Sequence, residues 1–184
     1  MAKLYVGVDV GLKGAIVLMN EGMKIVDHII MPTFKIKFGK GKTAKTRTLV
    51  NNLEVYNFLK KYSDMGYEMV FGMEIIFPGP SSYGAMNAGI AYGLLWASLE
   101  PFGKMVFFTP KEWWMNMYKA YPKIVMDLDK KGLDKFDEKK VVPIGLTRHF
   151  FGNDILLPTK RTVKPNDGIA DAIWIADYLR REKA

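Results

Sequence analysis

Four acidic residues stand where the chain has little reason to keep a charge: Asp9 in YVGVDVGLKGA, Glu74 in MVFGMEIIF, and Asp167 and Asp171 in PNDGIADAIWIADYL. The first two lie at or just inside apolar, strand-like runs, where a lone charge is costly unless it is paired or binds a metal. The last two are four apart on a predicted helix, so both project from one face. Carboxylates in such places predict a shared cation site. Mg²⁺ is a hard ion that prefers carboxylate and water oxygens. Two such ions about 3.5–4 Å apart can hydrolyse a phosphodiester, and Mn²⁺ can use the same ligands. Converging carboxylates would therefore make this a metal-dependent nuclease. Asp177, ten residues past Asp167, is rotated off the shared face and is left out of the set.

Each acid also has a plainer use. Asp9 can organise the turn that follows its strand, as Asp and Gly often do. Asp167 can be the N-cap of its helix after Pro165-Asn166. Asp171, flanked by Ala170 and Ala172, suits a close approach to a sheet or can face solvent. Glu74, between Met73 and Ile75, has no turn to serve. The four together, in this order, carry more weight than any one of them.

The elements that must position these residues alternate in type. Residues 3–9 read as a first strand, GLKG as a tight turn, 15–20 as a hairpin partner and 24–31 as a third strand. Residues 68–76 are apolar on both faces, as in a central parallel strand, and 104–109 form a fifth strand. Helices are predicted at 48–62, from the spacing of Leu49, Leu53, Tyr56, Leu59 and Tyr62, and at 83–99, 110–119, 138–150 and 167–182. The fold class is α/β: a five-stranded mixed sheet, an antiparallel hairpin edge on a parallel core, flanked by helices. The 184 residues suit one domain, 1–184, with enough chain to bury a core. A parallel fourth strand beside the first places Glu74 next to Asp9. Residues 119–140 read as a charged, irregular insertion.

Charge points to the partner. The net charge is +8, which favours a polyanion such as nucleic acid. From His28 to Leu53 there is no acidic residue, while Lys35, Lys37, Lys40, Lys42, Lys45 and Arg47 are all basic; with Gly39 and Gly41 among them, the centre of this stretch reads as a mobile loop. The absence of Cys excludes disulfides and Cys-based zinc sites and fits a cytoplasmic location. The N-terminal apolar run is broken by Asp9 and Lys13, so no signal peptide is expected. The uncharged stretch 75–99 is broken by Pro78, Pro80 and several glycines, and reads as a loop and a packed helix rather than a membrane span.

On GVDVGLKGA, MEIIF, TPKEWW and DGIADAIWIADYL, the chain resembles the RuvC family of Holliday junction resolvases within the ribonuclease H-like superfamily, over most of its length. The NDGIADA form and short length are most similar to the phage-encoded branch. The resemblance implies a homodimeric, Mg²⁺-dependent endodeoxyribonuclease, with two ions per site. It would nick four-way DNA junctions symmetrically, leaving 5′-phosphate ends, in a bacterial cell or phage-infected host. By motif position it implies Asp9, Glu74 and Asp171 as ligands, with Asp167 the best match for the fourth. In bacterial members the two helix carboxylates are usually three apart rather than four. Trp114 stands roughly where the family has a DNA-contacting lysine, with Lys111, Lys139 and Lys140 as looser substitutes. Phe77, three residues after Glu74, corresponds to an aromatic that stacks on a base, or else packs over the following helix. Lys160, Arg161 and Lys164 join the 35–47 segment as phosphate contacts. Gly89 and Gly93 mark a helix that in the family helps form the dimer, or that packs closely on its own sheet.

Three other functions fit parts of the pattern. A broader branched-DNA endonuclease, cutting forks or flaps, would use the same chemistry. A structural junction binder would gain nothing from four negative charges facing phosphate. An actin-like ATPase, on the strength of GVDVGLKG, needs a second such domain that 184 residues do not hold.

Overall fold

A computed structural model describes residues 2–41, 44–76, 81–128, 133, 136–157 and 164–182, with the side chains of residues 83 and 138 left aside. Five strands form the main sheet: β1 (Lys3–Val8), β2 (Ala15–Asn20), β3 (Ile25–Ile30), β6 (Glu68–Glu74) and β7 (Gly103–Phe108). Their order is β3-β2-β1-β6-β7. The β1–β2 and β2–β3 pairs are antiparallel, and the β1–β6 and β6–β7 pairs are parallel. This is the expected mixed α/β sheet, an antiparallel hairpin edge on a parallel core. Between β3 and β6 the chain adds β4 (Thr33–Phe38) and β5 (Lys45–Val50), a separate two-stranded sheet, and then helix α1 (Asn52–Asp64).

The remaining helices are α2 (Ser82–Leu99), α3 (Pro110–Ala120), α4 (Pro122–Met126), α5 (Glu138–Phe151) and α6 (Asp167–Glu182). Period-two burial sorts them into layers. Leu4, Val6 and Val8 of β1 join Met69, Phe71 and Met73 of β6 against Val55, Leu59, Ala91 and Leu95 of α1 and α2. The opposite face of β2, through Ala15, Val17 and Met19, packs on α6, with α3 and α5 beside it. At Gly7 an added Cβ would lie 1.9 Å from the Ala172 carbonyl oxygen. Only glycine lets α6 cross β1 this closely.

Several expectations need correction. Most of the basic segment 35–47 belongs to two paired strands, Phe34 opposite Leu49 and Phe38 opposite Lys45, while Gly39 and Gly41 at its centre lie outside them. The alternation in TFKIKF is a strand pattern that six positive charges obscured. The helix predicted from 48 begins instead at Asn52, because Asn51 caps it and residues 48–50 complete β5. Its buried face runs through Val55, Leu59 and Tyr62, while Leu53 is 64% exposed. The first and fourth strands stop at Val8 and Glu74, short of the predicted ends. The segment 119–140 is not wholly irregular, since it holds α4 and the buried Leu133. Gly89 and Gly93 do not serve close packing on their own sheet, because a Cβ at either would meet nothing within 4 Å.

Asp177 is fully buried on α6, paired with Arg180 at 2.7 Å and Arg181 at 2.9 Å. Tyr121 donates its hydroxyl to the same carboxylate at 3.1 Å. Burial first, and then the Asp177 charge, push the Tyr121 phenol up to about 12. Asp177 is thus part of the core's own ion cluster. No helix among the described residues is long and apolar enough to cross a membrane.

Candidate active site

Sheet register brings the first two acids together. Val8 of β1 pairs with Met73 of β6, so Asp9 and Glu74 follow as neighbours one residue on. Val8 and Met73 point to the α1/α2 layer, so the next residue on each chain turns toward α6. Helix α6 supplies Asp171 from its second turn. Its first turn sits against the turn after β1, where Gly14 donates its N–H to the Gly11 carbonyl at 3.0 Å. A Cβ on Gly168 would lie 2.6 Å from the Lys13 carbonyl oxygen, 2.7 Å from Gly14 Cα and 3.0 Å from Asp9 Oδ2. The glycine between the two helix acids is what allows α6 to come down on Asp9.

The charges report the same convergence. Burial, then the neighbouring Glu74 charge, push Asp9 up to about 7, with Lys140 pulling the other way. Asp171 lies well above the usual carboxylate range, first through burial and then through the charges of Asp9 and Glu74, again opposed by Lys140. Burial also raises Glu74, and a hydrogen bond from Trp113 opposes the shift. Burial is the larger cause for all three half-buried carboxylates, and the Glu74 charge adds to it at Asp9 and those of Asp9 and Glu74 at Asp171. Such a set has the donor chemistry for a hard divalent cation.

Two of the four acids are held by protein donors. Trp113 Nε1–H donates to Glu74 Oε1, and Lys140 Nζ forms an ion pair with Asp167 Oδ2. Among the described residues, no group of three or more His, Asp or Glu side chains is arranged to hold a metal ion. The donor set fits such an ion in its chemistry. Asp167 does not cap its helix; Asn166 does, accepting the Ile169 N–H at 3.0 Å.

The basic residues divide by place. Lys140 and Lys164 line a groove of about 630 Å³ that reaches Asp167 and also includes Lys13, Met31 and Thr33. Lys164 additionally lies 4.9 Å from the Phe136 ring centroid. Lys139 is exposed on the same turn of α5. Lys111 lies elsewhere, in a groove between α3 and α6 with Glu112 and Glu182. Lys35, Lys37, Lys40 and Lys45 are exposed on the β4–β5 hairpin and its turn, whereas Arg47 is half-buried and hydrogen-bonds Asn87 of α2. Phe77, Lys42, Lys160 and Arg161 lie outside the described residues.

Sequence reasoning missed two members of this neighbourhood. Lys13 reads as part of a turn, and only the groove shows it facing Lys140 and Lys164. Trp113 stands beside Trp114 in TPKEWW, and the helix phase turns Trp113 rather than Trp114 toward Glu74. Its place just after the fifth strand was the available signal.

No family model and no curated protein matches the chain. Among solved structures, it is similar to Thermus thermophilus RuvC in complex with a Holliday junction substrate, at 14% identity and a TM-score of 0.45, over 97% of this chain and 92% of that one. It is also similar to a second Thermus thermophilus RuvC structure, at 14% identity and a TM-score of 0.42, over 98% and 96% of the two chains. Identity this low and superposition this loose carry no conclusion about activity.

Proposed function

We propose that this protein is a metal-dependent endodeoxyribonuclease that resolves four-way DNA junctions by paired nicks. The observation that carries the reading is geometric: the β1–β6 register sets Asp9 beside Glu74, and the close contacts at Gly7 and Gly168 bring the Asp171 helix down on them. Asp9, Glu74 and Asp171 would hold the metal, and Asp167 would join them on leaving Lys140. Bound there, a pair of Mg²⁺ or Mn²⁺ ions supplies activation of water and stabilisation of the leaving oxygen. Trp113 fixes the orientation of Glu74 through one carboxylate oxygen, leaving the other available. Lys13, Lys140 and Lys164 line the adjacent groove and would seat the phosphate backbone, so affinity should fall steeply with salt.

Junction preference rests on the motif resemblance and on the basic surface. A four-way junction has two-fold symmetry, so a homodimer with two sites matches it. The exposed face of α2, with Met86, Gly89, Gly93 and Trp96, is the surface proposed for that contact. The deciding experiment incubates labelled four-way junction, Y-fork, flap and plain duplex with protein and Mg²⁺. Junctions should be cut at paired symmetric positions, and folded Asp9→Asn or Glu74→Gln protein should be inactive. Activity retained in either variant would sink the proposal. Forks or flaps cut as readily as junctions would replace it with a broader branched-DNA nuclease.

A further inference from the structure

The β4–β5 hairpin carries an arrangement that the carboxylate site does not use. Along TFKIKF, alternate side chains leave opposite faces of the ribbon. Phe34, Ile36 and Phe38 share one face with their cross-strand partners Leu49, Arg47 and Lys45. Lys35 and Lys37 share the other with Thr48 and Thr46. Phe34 is 42% exposed, Ile36 37% and Phe38 45%. An apolar strip of this kind on a thin ribbon marks a binding surface rather than a core.

The hairpin is also fastened in a telling place. Its root is closed by the Asn51 N–H donating to the Pro32 carbonyl at 2.8 Å, and the Met31 N–H donates to the Gly14 carbonyl at 2.9 Å. Met31 and Thr33 line the same groove as Lys140, Lys164 and Asp167, so the ribbon leaves the rim of the candidate active site. Arg47 ties it to α2 through Asn87, and the Arg47 Nε–H is buried without a hydrogen-bond partner.

We propose that this hairpin reads DNA branch points, with Phe34 and Phe38 stacking on bases that are unpaired or unstacked at the branch. Lys35 and Lys37, on the opposite face, hold flanking phosphates. Six basic and no acidic residues between His28 and Leu53 favour an anionic occupant, and the exposed Phe34 and Phe38 rings favour one with flat apolar faces. Unpaired bases meet both conditions, because every base has a π-face and a phosphate beside it. Continuous duplex hides those faces in its own stack. A second copy of this chain would bring two strongly basic ribbons together.

The inference rests on the branched-DNA nuclease reading, and its test separates the two. Junction and plain-duplex affinities are measured in EDTA for wild type and for Phe34→Leu/Phe38→Leu, which keeps apolar bulk but removes both rings. The variant should lose about tenfold or more in junction affinity and little in duplex affinity. In parallel, wild-type protein in EDTA is photo-crosslinked to junctions carrying 5-iododeoxyuridine at the branch, which requires no variant to fold. Crosslinks should map to residues 33–50. Wild type that binds and cuts junctions, with branch crosslinks elsewhere or with equal losses on both DNAs, overturns the hairpin proposal alone. A sedimentation shift to a smaller species in the variant assigns the strip to self-association and also overturns it. Wild type that neither binds nor cuts any branched DNA overturns the nuclease reading itself.

Discussion

Lys140 on α5 forms an ion pair with Asp167 at the start of α6, and the same ammonium pulls down the titration of Asp9 and Asp171. One lysine therefore partly neutralises three of the four acids. It does so from a half-exposed position, where a single pair is worth about 0–1 kcal/mol. That is weak enough for a divalent cation to displace. Replacing Lys140 with Met should tighten Mn²⁺ binding by about threefold or more, since the ion no longer competes with an ammonium. The same change should weaken junction binding and lower its salt dependence. Calorimetric Mn²⁺ titration and anisotropy at several salt concentrations check both; unchanged Mn²⁺ affinity would separate Lys140 from the metal site.

Asp9 makes stability depend on pH in a definite direction. Its folded value of about 7 lies above the unfolded 3.8, so the folded state favours the protonated acid. The stability it contributes is fully present below pH 3.8 and is lost as pH rises through 7. The loss is on the order of 4 kcal/mol at most. In EDTA, wild type should melt at lower temperature at pH 8 than at pH 5. Asp9→Asn should remove much of that slope and melt higher than wild type at pH 8. Saturating Mg²⁺ should reverse the ranking at pH 8. A parallel pH slope in both proteins would show that Asp9 is not the desolvated acid described.

Trp113 opposes the burial that raises Glu74. Trp113→Phe keeps an aromatic ring of similar shape and removes the N–H donor. The ionised form of Glu74 loses a hydrogen bond, so its titration moves further up. Mn²⁺ binding followed against pH should show its acid limb displaced upward, because a hydrogen bond to the charged form has been removed. Unchanged pH dependence would mean that the hydrogen bond only positions the ring.

Gly168, buried in the first turn of α6, and Gly89, exposed in the middle of α2, should respond oppositely to alanine. At Gly168 the new Cβ meets backbone atoms at 2.6 and 2.7 Å, which cannot swing aside. Gly168→Ala should push the first turn of α6 away from Asp9, costing about 2 kcal/mol or more and most of the nuclease activity. At Gly89 nothing lies within 4 Å, so Gly89→Ala should stabilise the folded chain by up to about 1 kcal/mol through helix propensity. Chemical denaturation of both variants tests the pair; a neutral Gly168→Ala would disprove the close contact.

Much of this molecule is legible in its sequence. Apolar periodicity located the five strands of the main sheet and, to within a few residues, the long helices, because period two and period 3.6 are local properties. The acids stood out because Asp9 and Glu74 interrupt apolar runs and because Asp167 and Asp171 share a helix face. Local pattern failed where local signals conflicted. In the β4–β5 hairpin the charge run and its glycines hid a two-residue alternation, and at Asn51 a capping side chain rather than the apolar spacing set the helix start.

The relations among distant residues belonged to the tertiary structure. Register between β1 and β6 sets Asp9 beside Glu74, and Gly7 and Gly168 let α6 close over both. Helix phase turns Trp113, not Trp114, toward Glu74, and gives Asp167 to Lys140 while the buried Asp177 goes to Arg180 and Arg181. The residue types and their order, with the chemistry open to them, were determined by sequence alone. Which acids face one another was decided by packing, because a pair potential depends on separation in space and the chain records separation only along itself.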